Sequence, residues 1–594
     1  MRFGHLVGLV VFFLKLVLPS PVFAIPSFST DYDASYIVKQ EGPTHVVFNI
    51  SQKNNLSTVY ATSFSLSVSQ TNLENVKVSD SSGEIEPLVT KTANITNITF
   101  EFGSKVVGKD KINRFRIEYD TTDIAVKTGQ VWEVNIPKLE ADENISSEQI
   151  TLSVPDTFPA PAFIDPKPVR DDGHTFFFNS FSMGNRAITA LFGSQAYYQL
   201  DLSYFLSNES LQSETKTITI PPQTNYQQVF IQSLDPKPSN IVIDPDGNFL
   251  ALYELKPKSS LSINNKMVIR TNIKPEVSKT SPSRELLASN KHWNFNEPIF
   301  AKTELNLTKP LHIYDFVTSK LSYNFGKITG SVTTPQRPGG AYALANPDLA
   351  ICTEYSDLFI SLARKNGFPA REHQGFAISN NDQLKPLSLS KDVLHSWPAY
   401  FDQSNSTWIE VDPTWGYTTG GVDYFQKLDL NHLTFVIHGH NSDLPLPAGA
   451  FRNPSSSTKD VQVIPTDPIE FPATQFKLTL LNQDGGNLQI ELENLSGVAG
   501  IANLKTASGS SVQINEQNLF MAPFSKQTVT TAATHTPLFL PTKSQLIIEL
   551  NGQQLTREIT LEPSFTSRSF LILGFSFGAL AIFSWGLYFL RRRR

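Results

Sequence analysis

One cysteine occurs in the 594 residues, Cys352. A thiol attacks as the thiolate, so a reactive cysteine needs a positive setting and a base within reach. Downstream, the run VLHSWPAYFDQSNSTWIEVDPTWG carries His395 and Asp412. Thiol, imidazole and carboxylate are the set that covalent acyl transfer uses: a nucleophile, a proton carrier and a group that orients it.

The elements that would position them can be read from periodicity. In NPDLAICTEYSDLFISLARKNGFPAR, apolar residues recur at Tyr355, Leu358, Phe359, Leu362 and Ala363, which is one face of a helix with Cys352 at its start. Gly367 stands where a left-handed cap would close that helix, and Pro369 prevents its continuation. A thiol at a helix N-terminus feels the positive end of the dipole. However, Asn346-Pro347-Asp348 is itself a good helix start. If that helix ran on unbroken, Cys352 would sit in its second turn; a break between Leu349 and Cys352 would return it to an N-terminus. The sequence leaves both open.

LHSWPAYF and TWIEVDP read as two strands around the turn DQSNS. With the turn centred between Gln403 and Ser404, Ala399 faces Trp408, Trp397 faces Glu410, and His395 faces Asp412. Cross-strand partners lie about 5 Å apart, and a slip of one residue would send one partner to the other face.

These residues, in this order, resemble the transglutaminase-like cysteine enzyme superfamily: a cysteine opening a helix that ends GFPAR, then HSW, then WIEVDPTWG. The resemblance covers about residues 285–443, with its core from Asn346 to Gly416, and Tyr323 and the helix before it resemble the family's lead-in. It implies that Cys352 is the nucleophile, His395 the general base and acid, and Asp412 the orienting carboxylate, on a papain-like α+β fold. No cofactor and no metal are implied. Two positions depart from the family pattern. Pro398 lies inside the His395 strand, where its missing N–H predicts an edge or a bulge. The lead NPDLAI also lacks the glycines many members carry. The Cys352 N–H would be the first oxyanion donor; Trp293, Tyr342 and Gln336 are candidates for the second.

Other residues have blander readings. Trp397, Trp408 and Trp415 read as core or pocket wall, and Arg371 as a structural ion pair before a substrate ligand. Glu354 and Asp357 read as the exposed side of the helix. The run HLTFVIHGH offers His432, His438 and His440, but no acidic companion is evident and a metal site is not expected.

The ends of the chain bear on location. Arg2, LVGLVVFFLKLVL and VFA ending at Ala24 read as a signal peptide, residues 1–24. Residues 569–590 are uncharged and long enough for one membrane span, and 591–594 are four arginines that would stay cytoplasmic. The whole chain is −6; without the two basic residues of the leader and five of the tail it keeps 42 basic against 55 acidic, net −13. Such a surface argues against nucleic acid or anionic lipid as main partner.

The rest divides by texture into β-sandwich domains flanking the α+β domain: an N-terminal β-sandwich at 25–165, a second β domain at 166–270, the transglutaminase-like domain at 271–445, a linker at 446–467 and a C-terminal β-sandwich at 468–563. This arrangement fits exported, membrane-anchored bacterial members of the superfamily. The expected activity is that of a cell-surface acyltransferase or hydrolase on peptide or carboxamide bonds, leaning to peptidase or amidase, with a protein or peptide substrate. A non-catalytic surface scaffold is the second reading, and a cysteine kept for an intermolecular disulfide the third.

Overall fold

The computed structural model describes residues 26–592 except 93–94, 140–143, 185, 277–281, 304–305, 330–336, 380–384, 386–394, 420–421, 427, 455–458, 485–486, 509, 511–512, 533–539, 552 and 562–566. The expected leader therefore lies outside the described residues. The chain divides into two compact units. One gathers the described parts of Met1–Thr122, Leu139–Pro155 and Pro168–Gly184; the other gathers those of Asp123–Lys138, Asp156–Lys167 and Asn185–Arg594.

The first unit is built on an eight-stranded sheet with a three-stranded sheet beside it. Its strands alternate as the sequence does: Phe28–Ile37 buries every second side chain along most of its length. Phe48, Phe100, Phe115 and Tyr119 are buried within it. The expected boundary near residue 165 is not a single cut. Val131–Ile136 and Pro161–Asp165 both pair with Ile188–Phe192 in a sheet of the second unit, so the chain crosses between the units more than once.

In the second unit, a β layer holds Gln195–Asn208 paired along its length with Ser259–Asn272. The expected linker is corrected here. Val461–Pro465 pairs with Gln195–Asn208, Leu202 facing Val461 and Tyr198 facing Pro465. The Pro/Ser-rich composition of 446–467 hides a strand that returns to this layer. The C-terminal region is two small sheets around Leu488, Ile490, Leu504 and Ile548.

The α+β region supplies the site. Helix α1 (Pro310–Lys320) starts with proline in its first turn and buries Ile313, Tyr314 and Val317. Then come α2 (Gly340–Ala345), a 3-10 turn at Pro347–Leu349, and α3 (Cys352–Lys365). Four antiparallel strands follow: β1 (Ala370–Ala377), β2 (His395–Asp402), β3 (Thr407–Glu410) and β4 (His432–His438), in sheet order β3-β2-β1-β4. Helix α4 (Pro413–Thr418) leaves the end of β3. Gly367 does close α3, at φ +84°. Phe368 N–H reaches Ala363 O at 2.9 Å and Gly367 N–H reaches Arg364 O at 3.1 Å, a paired C-terminal cap. Gly416 in α4 is required by close approach, since a Cβ there would lie 2.1 Å from the Tyr314 hydroxyl of α1.

Helix Ser567–Arg592 carries the apolar stretch 569–590, and its described side chains are exposed. Among the described residues, no helix is long and apolar enough to cross a membrane, which differs from the expected span. Side chains before Gly574 fall outside the described residues.

Candidate active site

The helical run is interrupted before Cys352. After the 3-10 turn, Ala350 and Ile351 are extended, Ile351 at φ −122° and ψ −172°, and α3 begins anew at the cysteine. The thiol therefore sits at a helix N-terminus, where the first-turn N–H groups lack intrahelical carbonyl partners and the dipole favours negative charge. Glu354 fixes this start: one carboxylate oxygen accepts the Ile351 N–H at 2.9 Å and the other meets Lys327 Nζ at 2.9 Å.

His395 opens β2. Its Nε2 lies 2.9 Å from Asp412 Oδ2, and both residues are fully buried. Cys352 lies near enough to the same ring to help raise its pKa. With Nε2 held by Asp412, Nδ1 is the nitrogen left for sulfur. Burial alone would depress the imidazole, but the Asp412 carboxylate, its hydrogen bond and Cys352 together raise it to about 9. Burial would raise Asp412, but His395 and His432 hold it well below the usual carboxylate range. Asp412 also caps α4, its Oδ1 accepting from Thr414 N at 2.8 Å and Trp415 N at 3.1 Å. Residues Cys352, His395 and Asp412, separated in sequence, are thus brought to one place.

The hairpin register differs from the expected one. Ala399 faces Glu410, and Phe401 faces Trp408, a slip of two positions made by a longer loop with Ser406 at φ +50°. The slip is even, so the faces are unchanged. Asp412 is not a ladder partner of His395; it reaches the imidazole from the cap of α4. Pro398 is not on an edge strand either, because β2 runs between β3 and β1. Pro398 pairs with Glu372 of β1, and its carbonyl accepts from Val411 N at 3.0 Å. The proline nitrogen points to that same side, where the β3 ladder has ended.

Tryptophan rings confine the imidazole. Trp415 stacks on His395 at 5.2 Å and Trp397 at 5.9 Å. Trp408 is buried too and carries the Arg371 guanidinium 4.0 Å above its ring, so Arg371 is turned inward. Of the second-donor candidates, Trp293 spends its N–H on Asp357 Oδ1 at 2.8 Å. Tyr342 is on the surface of α2, and Gln336 lies outside the described residues.

Glu354 and Asp357 are not on an exposed side. Cys352 to Arg364 are all buried, so α3 has no solvent face. Its polar side meets ions instead of water. Arg337 pairs with Asp357 and, at 2.9 Å, with Glu372 Oε2; Glu372 also accepts from Ser396 Oγ at 2.6 Å and meets His438 Nδ1 at 2.9 Å. Burial would raise Glu372, but Arg337 and His438 hold it low.

The histidine run does have acidic companions. His440 Nδ1 meets Asp246 at 2.6 Å. His432 Nδ1 meets Asp429 Oδ1 at 2.7 Å, and its Nε2 lies 3.3 Å from the same Asp412 Oδ2 that His395 uses. Asp429, three residues before His432, was the available signal. His395, Asp412 and His432 bring ligand-type atoms within 4.8 Å of one another; hydrogen bonding of two imidazoles to one carboxylate itself produces that spacing.

Residues 294–413 match the transglutaminase-like superfamily. Similar solved structures include one from Cytophaga hutchinsonii described as a candidate cysteine protease, at 17% identity over 47% of this chain and 93% of that one, with a TM-score of 0.31. The periplasmic domain of TgpA from Pseudomonas aeruginosa is 12% identical over 40% of this chain and 94% of its own, with a TM-score of 0.20. Red sea bream transglutaminase is 10% identical over 59% and 80%, with a TM-score of 0.18. No curated protein matches the chain.

Proposed function

We propose, for a chain that carries a transglutaminase-like domain at residues 294–413, that it is a cysteine hydrolase or acyltransferase acting on peptide or carboxamide bonds through Cys352, His395 and Asp412. The observation that carries this reading is the buried line of groups: a thiol at a helix N-terminus, an imidazole beside it, and a carboxylate 2.9 Å from the far ring nitrogen.

In this reaction Cys352 Sγ bonds to the carbonyl carbon and its proton passes to His395. The C–N bond then breaks, the imidazolium gives its proton to the leaving amine, and a thioester forms. Water or an amine attacks the thioester, His395 takes the attacker's proton, and sulfur leaves. Asp412 holds the ring in one orientation and stabilises its protonated form. Water as acceptor gives peptidase or amidase activity, which we favour; a lysine amine gives a cross-link. The N-terminal leader-like sequence and the apolar stretch 569–590 support a location outside the cytoplasm with a C-terminal anchor, which fractionation of cells carrying the full chain would test.

The test of activity uses the full chain and a peptide library rich in glutamine and lysine, read by mass spectrometry. New termini, glutamine-to-glutamate conversion or joined peptides are expected, absent with Cys352→Ala. No Cys352-dependent product of any kind would leave the non-catalytic scaffold as the better reading.

A further inference from the structure

We propose that His432 is a positioning residue for the His395–Asp412 pair, holding the shared carboxylate oxygen from β4 and tying it through the Asp429–Asn431 turn to Glu133 of the strand Val131–Ile136. This rests on the function proposed above.

The geometry leads there in steps. Asp412 accepts four hydrogen bonds, two on Oδ1 from backbone N–H groups and two on Oδ2 from imidazoles at 2.9 and 3.3 Å. That fills the roughly four acceptor sites of a carboxylate, so the group cannot rotate without losing partners. His432 has a carboxylate at each ring nitrogen, Asp429 at Nδ1 and Asp412 at Nε2. Ionised carboxylates only accept, so both nitrogens must donate, and a ring that donates twice is an imidazolium. Burial would depress it, but Asp429 and Asp412 raise it to about 9.

Behind it, Asp429 Oδ1 also takes the Asn431 N–H at 2.7 Å, and Asn431 Nδ2 donates to Glu133 Oε2 at 2.9 Å. Glu133 lies on Val131–Ile136, far away in sequence but in the same compact unit. The sheet that pairs Val131–Ile136 with Ile188–Phe192 is therefore part of the scaffold of the site.

A fixed cation beside Asp412 has a chemical consequence. It shares the carboxylate's charge, so His395 holds its proton less tightly and can release it to a leaving amine. The groups facing His432 are Asp412, Asp429, the His395 ring at 5.5 Å and Glu410, with the Trp415 and Trp397 rings at 4.4 and 4.9 Å. Lys385 stands behind, 4.0 Å from Asp429 and 3.0 Å from Glu133. His395 itself faces Cys352 and Asp412.

The test is a pH titration of ring-labelled histidines by NMR in the full chain, with His395 identified by its loss in His395→Ala. His432→Gln keeps an amide donor near Asp412 and removes the charge. The His395 midpoint should then rise by about 2 pH units, the size expected for removing a like charge 5.5 Å away with an effective dielectric near 20. A folded His432→Gln with an unmoved His395 midpoint overturns the proposal. Should that variant not fold, Asp429→Asn serves: the His432 midpoint should fall toward the ordinary imidazole value, and an unchanged His432 midpoint overturns the proposal. The underlying function fails separately, and takes this inference with it, if His395→Ala leaves the reactivity of Cys352 unaltered in the wild-type background.

Discussion

Asp412→Asn removes the charge and sets an NH2 donor where Oδ2 accepts from the two imidazoles, while the cap is kept. Asparagine caps a helix as well as aspartate does, so the Thr414 and Trp415 N–H groups keep their acceptor and α4 keeps its start. What is lost is the carboxylate that lifts His395 to about 9 against the effect of burial. Without it, Cys352 is left to oppose burial, and the ring should titrate well below 9, toward its ordinary value near 6.5. A fall to that value is about 2.5 units, or about 3.4 kcal/mol between the two protonation states. At pH 7.5 the imidazole changes from nearly all protonated to mostly neutral. The assay is the His395 ring titration in folded wild-type and Asp412→Asn chains, with the alkylation rate of Cys352 measured beside it. The midpoint should fall toward 6.5, and the rate should fall by on the order of 10²-fold or more. A midpoint that stays near 9 in the variant would refute the assignment of Asp412 as the group that charges His395.

Stability should depend on pH in a way set by the same groups. His395 and His432, both raised to about 9, contribute stability that is complete below about pH 6.5 and lost as pH rises through 9, while Asp412 and Glu372, held low, contribute stability lost as pH falls below the carboxylate range; thermal unfolding across pH should show both flanks, and a flat alkaline flank would contradict the paired imidazoles. Arg337→Ala leaves Asp357 and Glu372 buried without their cation and should cost about 3–5 kcal/mol in denaturant unfolding; a loss under 1 kcal/mol would mean that water compensates them. Gly416→Ala drives a methyl into the Tyr314 hydroxyl, which also donates to Asp412 O at 3.4 Å, so Tm should fall and be partly restored by adding Tyr314→Phe; an unchanged Tm in the single variant would refute the tight α1–α4 contact.

Much of the site could be read from local pattern. The helix that follows Cys352 and its Gly367 cap could be read from spacing and one glycine, because both are short-range; the break that starts it at Cys352 could not. The hairpin followed from alternation and turn composition, but its register depended on loop length, and the Ser406 conformation leaves no mark in residue type. The even slip kept the faces, so the chemistry was legible although the pairs were not. The polar side of α3 was misread for a different reason. Periodicity separates apolar from polar residues, but it does not distinguish water from Arg337 or Lys327 as the partner of the polar ones. His432 was visible as a histidine and its companion Asp429 lay three residues away; its contact with Asp412 arises only when β4 joins the sheet. Glu133, the partner of Asn431, comes from a segment read as part of another domain. The strand at Val461–Pro465 was hidden by the Pro/Ser-rich composition around it.

The central claim is that Cys352 works with His395 as one reactive pair. Because the chain has a single cysteine, the rate of its alkylation by iodoacetamide at neutral pH reads that thiol alone. His395→Ala opens space beside the buried thiol, so a lower rate in the folded variant reports the lost imidazole and not lost access. The account predicts a fall of on the order of 10²-fold or more in the variant. Equal rates in the two folded chains would contradict it.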